Sequence, residues 1–152
     1  MANTYTQLLL QFVFAVQDRK SLIKEPIRER VEKYMCGCIN KLKYKPLAIY
    51  CMPDHTHVLV GQNPAISLSD FVKELKTSTT LFIKKEKLLS YNFSWQEGYG
   101  AFSYSKSQLD SVVRYILSQS QHHTSKSFKE EYLEFLEKFD VSFDERYLFN
   151  WI

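Results

Sequence analysis

Glycine and proline are scarce in this chain, four of each among 152 residues. So little of either excludes a collagen-like repeat or a long disordered tail. Cysteine is scarce as well, and Cys36, Cys38 and Cys51 are odd in number, which suits reduced thiols in a cytosolic protein better than a disulfide framework. Cys36-Gly37-Cys38 has no second C-x-x-C or H-x-x-x-H with which to complete a zinc site, and Cys38 fits a helical core stripe. Long apolar runs are missing too. The longest, Leu8 to Val16, is interrupted at Gln11 and falls well short of the roughly 20 residues a spanning helix needs, so no membrane segment is expected. No basic region, apolar stretch and small-residue cleavage site follow one another at the start, so no secretory signal is expected. Neither sign of charge dominates: a net charge of +3 permits a polyanionic partner without demanding one.

What the chain has in quantity is aromatic residues, 11 Phe, 10 Tyr and 2 Trp, within a composition that is 45% hydrophobic. At roughly 100–200 residues per domain, 1–152 reads as a single domain able to bury about two-thirds of its unfolded surface. Thr4 to Val16, rich in Leu, Phe, Val and Tyr, reads as a buried strand. Pro26 to Leu42 repeats apolar residues at helical spacing, with Pro26 in the first turn. Pro46 to Met52 and His55 to Gln62 read as two strands joined by the turn pair Pro53-Asp54. Ser67, with Asp70 three residues on, caps a helix whose apolar face runs from Leu68 to Ile83. A fourth strand is expected within Phe93 to Tyr104, a helix from Ser107 to His122 and a last helix from Phe128 to Phe139. The first six elements, in residues 1–106, spell β-α-β-β-α-β. That order is the ferredoxin-like split βαβ of an α+β protein, and the helices of 107–152 are candidates to cover the sheet's open face.

Three groups of residues could carry chemistry. In Met52-Pro53-Asp54-His55-Thr56-His57 the histidines are two apart on a strand, so both imidazoles share a face and can grip one cation. On the helix after the fourth strand, Leu109, Val112, Val113, Ile116 and Leu117 form the apolar stripe. Tyr115 lies off that stripe with Gln119 one turn beyond it, a polar setting that suits a nucleophile. On the second helix Lys73, Thr77, Thr80, Lys84 and Lys87 share one face with Lys76 at its edge, and alternating cations and hydroxyls are what phosphate contacts require. A non-catalytic module of the RNA-recognition type would use the same fold but would not need His55, His57 and Tyr115 together. A metal-dependent hydrolase lacks a carboxylate beside the histidines other than Asp54, which the turn explains.

These residues together resemble the HUH single-tyrosine transposases, which move small bacterial insertion sequences as single-stranded DNA. The resemblance rests on the histidine pair, on Tyr115-Ile116-Leu117-Ser118-Gln119, on Trp95-Gln96-Glu97-Gly98-Tyr99-Gly100-Ala101-Phe102 and on Asp144-Glu145-Arg146-Tyr147-Leu148. One departure is Thr56, where the family usually has a bulky apolar residue. The resemblance implies that His55 and His57 bind Mg²⁺ or Mn²⁺ with Gln119 as third ligand, and that Tyr115 attacks a DNA phosphodiester to leave a 5′-phosphotyrosine. Lys73, Lys76, Thr77 and Lys84 are then the expected DNA contacts. It further implies hairpin ends of a mobile element as partner, a homodimer in which each tyrosine helix serves the other subunit's histidines, and a bacterial cytoplasmic location at the nucleoid. The alternatives are a domesticated REP-associated tyrosine transposase and a binding module for single-stranded nucleic acid.

Overall fold

The computed structural model describes residues 3–17, 23–89, 92–123 and 125–149. Four strands form one antiparallel sheet: β1 (Leu9–Ala15), β2 (Lys45–Cys51), β3 (His55–Gly61) and β4 (Gly100–Tyr104), in the order β2-β3-β1-β4. With α1 (Arg28–Lys41) and α2 (Leu68–Lys85) between them, this is the expected split βαβ arrangement. The central strands β1 and β3 are the most apolar, and burial on both faces requires that. No helix among the described residues is long and apolar enough to cross a membrane.

The strand period of two assigns the faces. Phe12, Phe14, Val58 and Val60 join Val31, Met35, Phe71 and Leu75 of α1 and α2 in the main core. Thr56 lies on that side, fully buried, so the departure between the histidines touches packing and not the histidine face. The opposite face carries Gln11, His55, His57 and Leu59. Over it lie α3 (Leu109–Leu117) and α5 (Phe128–Lys138), the cover expected from the C-terminal part. Val112 and Ile116 of α3 pack on Ala48 and Leu59, while Phe135 of α5 stacks on Phe102 of β4.

Three boundaries differ from the sequence reading. β1 is shorter than Thr4 to Val16, because only Leu9–Ala15 pairs with β3, and of these Leu9–Val13 also pair with β4. α1 begins at Arg28, after a turn at residues 25–27 that contains Pro26. The helix expected from Ser107 to His122 is three pieces: a 3₁₀ turn at Lys106–Gln108, then α3, then α4 (Gln119–His122). The interruption falls at Ser118, whose hydroxyl donates to the Arg114 carbonyl at 2.6 Å. Such a bond competes with the backbone ladder and bends helices. Elsewhere the local signals hold. Ser67 accepts from the Asp70 amide, and Ser127 with Glu130 forms a full capping box at the start of α5.

Gly100 is where α5 meets β4 most closely. A Cβ there would lie 2.7 Å from the Tyr132 hydroxyl oxygen and 2.9 Å from its ring. Tyr132 is itself buried, so its ring cannot simply swing away. Gly100→Ala is therefore expected to destabilise the protein by about 1–3 kcal/mol, the usual range for overpacking, and to lower the thermal midpoint by several degrees. An unchanged midpoint would show that α5 can lift from the strand freely.

Candidate active site

His55 and His57 stand side by side on β3 with ring centroids 5.2 Å apart, and both are completely buried. Each is held from behind. Asp54 Oδ1 lies 2.7 Å from His55 Nδ1, and Gln11 Oε1 of β1 lies 2.6 Å from His57 Nδ1. Both partners present acceptor oxygens, so both histidines carry a proton on Nδ1 and turn Nε2 inward. His55 is also stacked at 4.0 Å on Phe128 of α5, which fixes its ring plane.

The inward nitrogens meet residues of α4 and α5. Glu131 Oε1 is 3.1 Å from His57 Nε2 and 3.5 Å from His55 Nε2. Gln119 Oε1 is 3.4 Å from His55 Nε2, while its amide nitrogen donates to Glu131 Oε2 at 2.9 Å. His123 Nε2 closes the cluster, 3.0 Å from Gln119 Oε1 and 3.1 Å from Glu131 Oε1. Tyr115 on α3 donates its hydroxyl proton to Glu131 Oε2. Its ring lies edge-on to His57 with centroids 6.1 Å apart.

This donor set fits a cation. With Nδ1 of both histidines committed to acceptors, two imidazole lone pairs, a carboxylate oxygen and an amide oxygen converge with no hydrogen bond between neutral partners able to join them. Either protons or a metal ion must sit among them. His55, His57 and Glu131 alone bring three ligand atoms within 4.8 Å of one another. Two or three imidazole nitrogens beside one carboxylate suit Mn²⁺ or zinc better than Mg²⁺, which prefers an all-oxygen shell.

Electrostatics bind the cluster together. Burial would raise the Glu131 carboxyl, but hydrogen bonds from His123, His55 and His57 outweigh it and hold the group far below the ordinary carboxylate range. Burial would likewise lower His55, yet Asp54 and Glu131 keep it above its usual value, whereas burial prevails at His57 and lowers it. For Tyr115 burial and the Glu131 charge act together and push the phenol well above its usual value. A groove of about 430 Å³ between α3 and α5 leads to this tyrosine, walled by Tyr104, Ser111, Val112, Glu131 and Phe135.

The structure brings Tyr115, Gln119, His55 and His57 of one chain to one place. Within one chain Tyr115 reaches Glu131, whereas the expected homodimer would bring each tyrosine helix to the other subunit's histidines. Glu131, His123 and Gln11 were not among the sequence candidates. Glu131 had a signal: it falls among Phe128, Tyr132 and Phe135 on the apolar stripe of its helix, where an acid is out of place. Gln11 had one too, as the single polar residue in the apolar run of β1.

The basic stripe of α2 lies on the other side of the sheet. Lys73 and Thr77 are exposed and, with Thr80, Trp95 and Tyr99, line a groove of about 720 Å³. Lys84 is exposed further along the helix. Lys76 differs from them. Its ammonium donates to the carbonyls of Gln96 (2.9 Å) and Gly98 (2.7 Å), and burial lowers its pKa to about 8. Its role here is to pin the loop before β4 to α2.

Comparison with known proteins agrees with this arrangement. Residues 4–119 match the family model described as "Transposase IS200 like". The chain is 25% identical over 119 residues to the ISDra2 transposase TnpA of Deinococcus radiodurans, covering 74% of this chain and 84% of the relative. A crystal structure from Deinococcus radiodurans R1, assigned to the transposases, superposes with a TM-score of 0.63 at 19% identity, over 78% of this chain and 95% of that one. A REP-associated tyrosine transposase bound to a REP hairpin superposes with a TM-score of 0.59 at 16% identity, over 81% and 73% of the two chains.

Proposed function

Because this chain belongs to the IS200-like transposases, we propose that it cleaves and rejoins single-stranded DNA at the hairpin-bearing ends of an insertion sequence, with Tyr115 as nucleophile. The observation that carries this reading is the meeting of a tyrosine hydroxyl with a buried histidine pair and a carboxylate at the end of a groove. Tyr115 Oη attacks the scissile phosphorus, an Oη–P bond forms, the P–O3′ bond breaks, and the phenolic proton passes to solvent or to the departing 3′-oxygen. The product is a 5′-phosphotyrosine and a free 3′-OH. A second 3′-OH reverses the step, so phosphodiester energy is kept throughout and no nucleotide cofactor is consumed.

His55, His57 and Glu131, with the Gln119 amide oxygen, would hold a divalent cation, Mn²⁺ before Mg²⁺ on ligand chemistry. Bound there, it supplies Lewis acidity that polarises the scissile phosphodiester. The chain's own residues do the rest. Asp54 and Gln11 orient the imidazoles, and Glu131 holds the Tyr115 hydroxyl toward them. The histidines are fully covered, and the groove that reaches Tyr115 is the approach for the phosphodiester.

A non-catalytic binding module of the RNA-recognition type is disfavoured by the same packing. Such modules stack bases on an open sheet, and here α3 and α5 cover that face.

The exposed α2 residues Lys73, Thr77 and Lys84 are assigned to the DNA backbone. Lys73→Ala is expected to reduce the slope of log K against log[salt] by about 1. Lys76→Met is expected to leave that slope unchanged and to lower the thermal midpoint, because its ammonium serves two loop carbonyls. Equal slopes for wild type and Lys73→Ala would move the DNA path elsewhere. The function itself is tested by incubating the protein with single-stranded hairpin DNA carrying the element's ends and Mn²⁺. A covalent protein–DNA band on a denaturing gel is expected, and its absence with the authentic ends overturns the assignment.

A further inference from the structure

His55 and His57 are oriented by unlike groups. Asp54, one residue away, presents a carboxylate that can only accept, and so allows His55 one tautomer. The partner of His57 is an amide from another strand, and an amide can face either way. With Oε1 toward His57, as here at 2.6 Å, the imidazole proton sits on Nδ1 and the Nε2 lone pair points at Glu131 and the centre of the cluster. With the amide reversed, its NH₂ would face Nδ1, the proton would move to Nε2, and that nitrogen could no longer act as a ligand. The orientation of one amide thus decides whether His57 can hold a cation.

Two features hold that side chain in place behind His57. Gln11 is completely buried on the central strand β1, two residues from Val13, which lies directly across from His57. Its Nε2 donates at 2.7 Å to the hydroxyl of Tyr104 on the neighbouring strand β4. The amide therefore has the Tyr104 hydroxyl at one end, 93 residues from Gln11 in the chain, and the ring N–H of His57 at the other. A buried primary amide in an otherwise apolar strand is unfavourable unless its hydrogen bonds are met, and these two partners meet them.

We propose that Gln11, anchored by Tyr104, is a positioning residue that sets the tautomer and ring orientation of His57, so that its Nε2 is available as a metal ligand. The proposal rests on the reading of His55 and His57 as a divalent-cation site. It also assigns Tyr104 a role distinct from that of Tyr115, although both line the same groove.

The test uses the full-length chain and two readouts, Mn²⁺ affinity by titration and the histidine tautomers of the metal-free protein by long-range ¹⁵N–¹H NMR. In wild type, His57 Nδ1 is expected to carry a proton hydrogen-bonded to Gln11 Oε1, beside any proton that Nε2 shares with Glu131. Gln11→Leu is expected to lose this fixed Nδ1 proton and to weaken Mn²⁺ binding roughly 10–100-fold, the range for removing the outer partner of a ligating histidine. Gln11→Glu, which can only accept at that position, is expected to restore both the tautomer and the affinity. Tyr104→Phe leaves residue 11 intact and is expected to give a smaller loss with a mixed tautomer signal, which keeps the test available if Gln11→Leu does not fold. Retention of the Nδ1 proton on His57 with affinity within twofold in Gln11→Leu overturns the proposal, as does lost affinity with an unchanged tautomer. If wild type takes up no Mn²⁺, the metal reading fails, while the tautomer comparison between wild type and Gln11→Leu still decides the role of Gln11.

Discussion

Tyr115→Phe is expected to abolish the covalent DNA adduct while leaving hairpin binding intact. The substitution removes one oxygen, and with it the only atom of that side chain able to form an ester with phosphorus. Loss of a nucleophile cannot be offset by the remaining electrostatics, so the fall in strand cleavage is expected on the order of 10⁴-fold or more. Folding should survive. The ring keeps its edge contacts with His57 and Phe135, and the lost hydrogen bond to Glu131 is worth about 1–3 kcal/mol, being made to a charged group. Binding should survive as well, since the exposed cations of α2 lie on the other face of the sheet. The measurement is a denaturing gel for the adduct beside a native gel for the complex. A persistent adduct in Tyr115→Phe would transfer the nucleophile's role to another hydroxyl, and Tyr104 in the same groove is the first to examine. Because Tyr115 meets Glu131 of its own chain, a mixture of Tyr115→Phe and His57→Ala chains is expected to stay inactive; recovered activity would mean that the helices are exchanged between copies.

Glu131→Gln carries the second large effect. If Glu131 ligates the cation, its loss must cost at least as much as loss of an outer partner, so Mn²⁺ affinity is expected to fall by about 100-fold or more. The metal-free protein should weaken too. Glu131 is 2% exposed and faces three imidazole nitrogens, and breaking a buried charged cluster from one side costs about 3 kcal/mol. The pH dependence follows from the two shifts. The Glu131 pKa is lowered on folding, so its contribution is present above the ordinary carboxylate value near 4.5 and declines as pH falls below it. The His55 pKa is raised, so its contribution is complete below about 6.5 and is lost as pH rises through its folded value. The difference in thermal midpoint between wild type and Glu131→Gln, measured without metal, is therefore expected to be largest between about pH 4.5 and 6.5. A flat difference across that range, with unchanged Mn²⁺ affinity, would leave Glu131 as packing alone.

Much of this site was legible before any coordinates. The H-x-H pair needed only the strand period of two, and the placement of Tyr115 with Gln119 needed only the helical period. The order β-α-β-β-α-β and the cap at Ser67 are likewise local, because each depends on neighbours within a few residues. The break at Ser118 was not legible: a serine tolerates a helix interior, and only its bond to the Arg114 carbonyl reveals the interruption. Lys76 shows the opposite difficulty. Its spacing matches the phosphate-contacting stripe, yet the loop carbonyls of Gln96 and Gly98, twenty residues on, claim its ammonium.

The sequence by itself determined the elements, their order and the two periodic motifs, since backbone propensity and side-chain period act over short range. It also identified the family resemblance that the fold and comparisons support. Only the tertiary structure decided that Glu131 and His123 close over the histidines and that Gln11 stands behind His57. The contacts of His57 with Gln11 and Glu131 join residues 46 and 74 positions apart, on β1, β3 and α5. No local rule relates such positions. They meet because α3 and α5 must cover one face of the sheet, and the cover brings their buried polar side chains to Gln11, His55 and His57 on it.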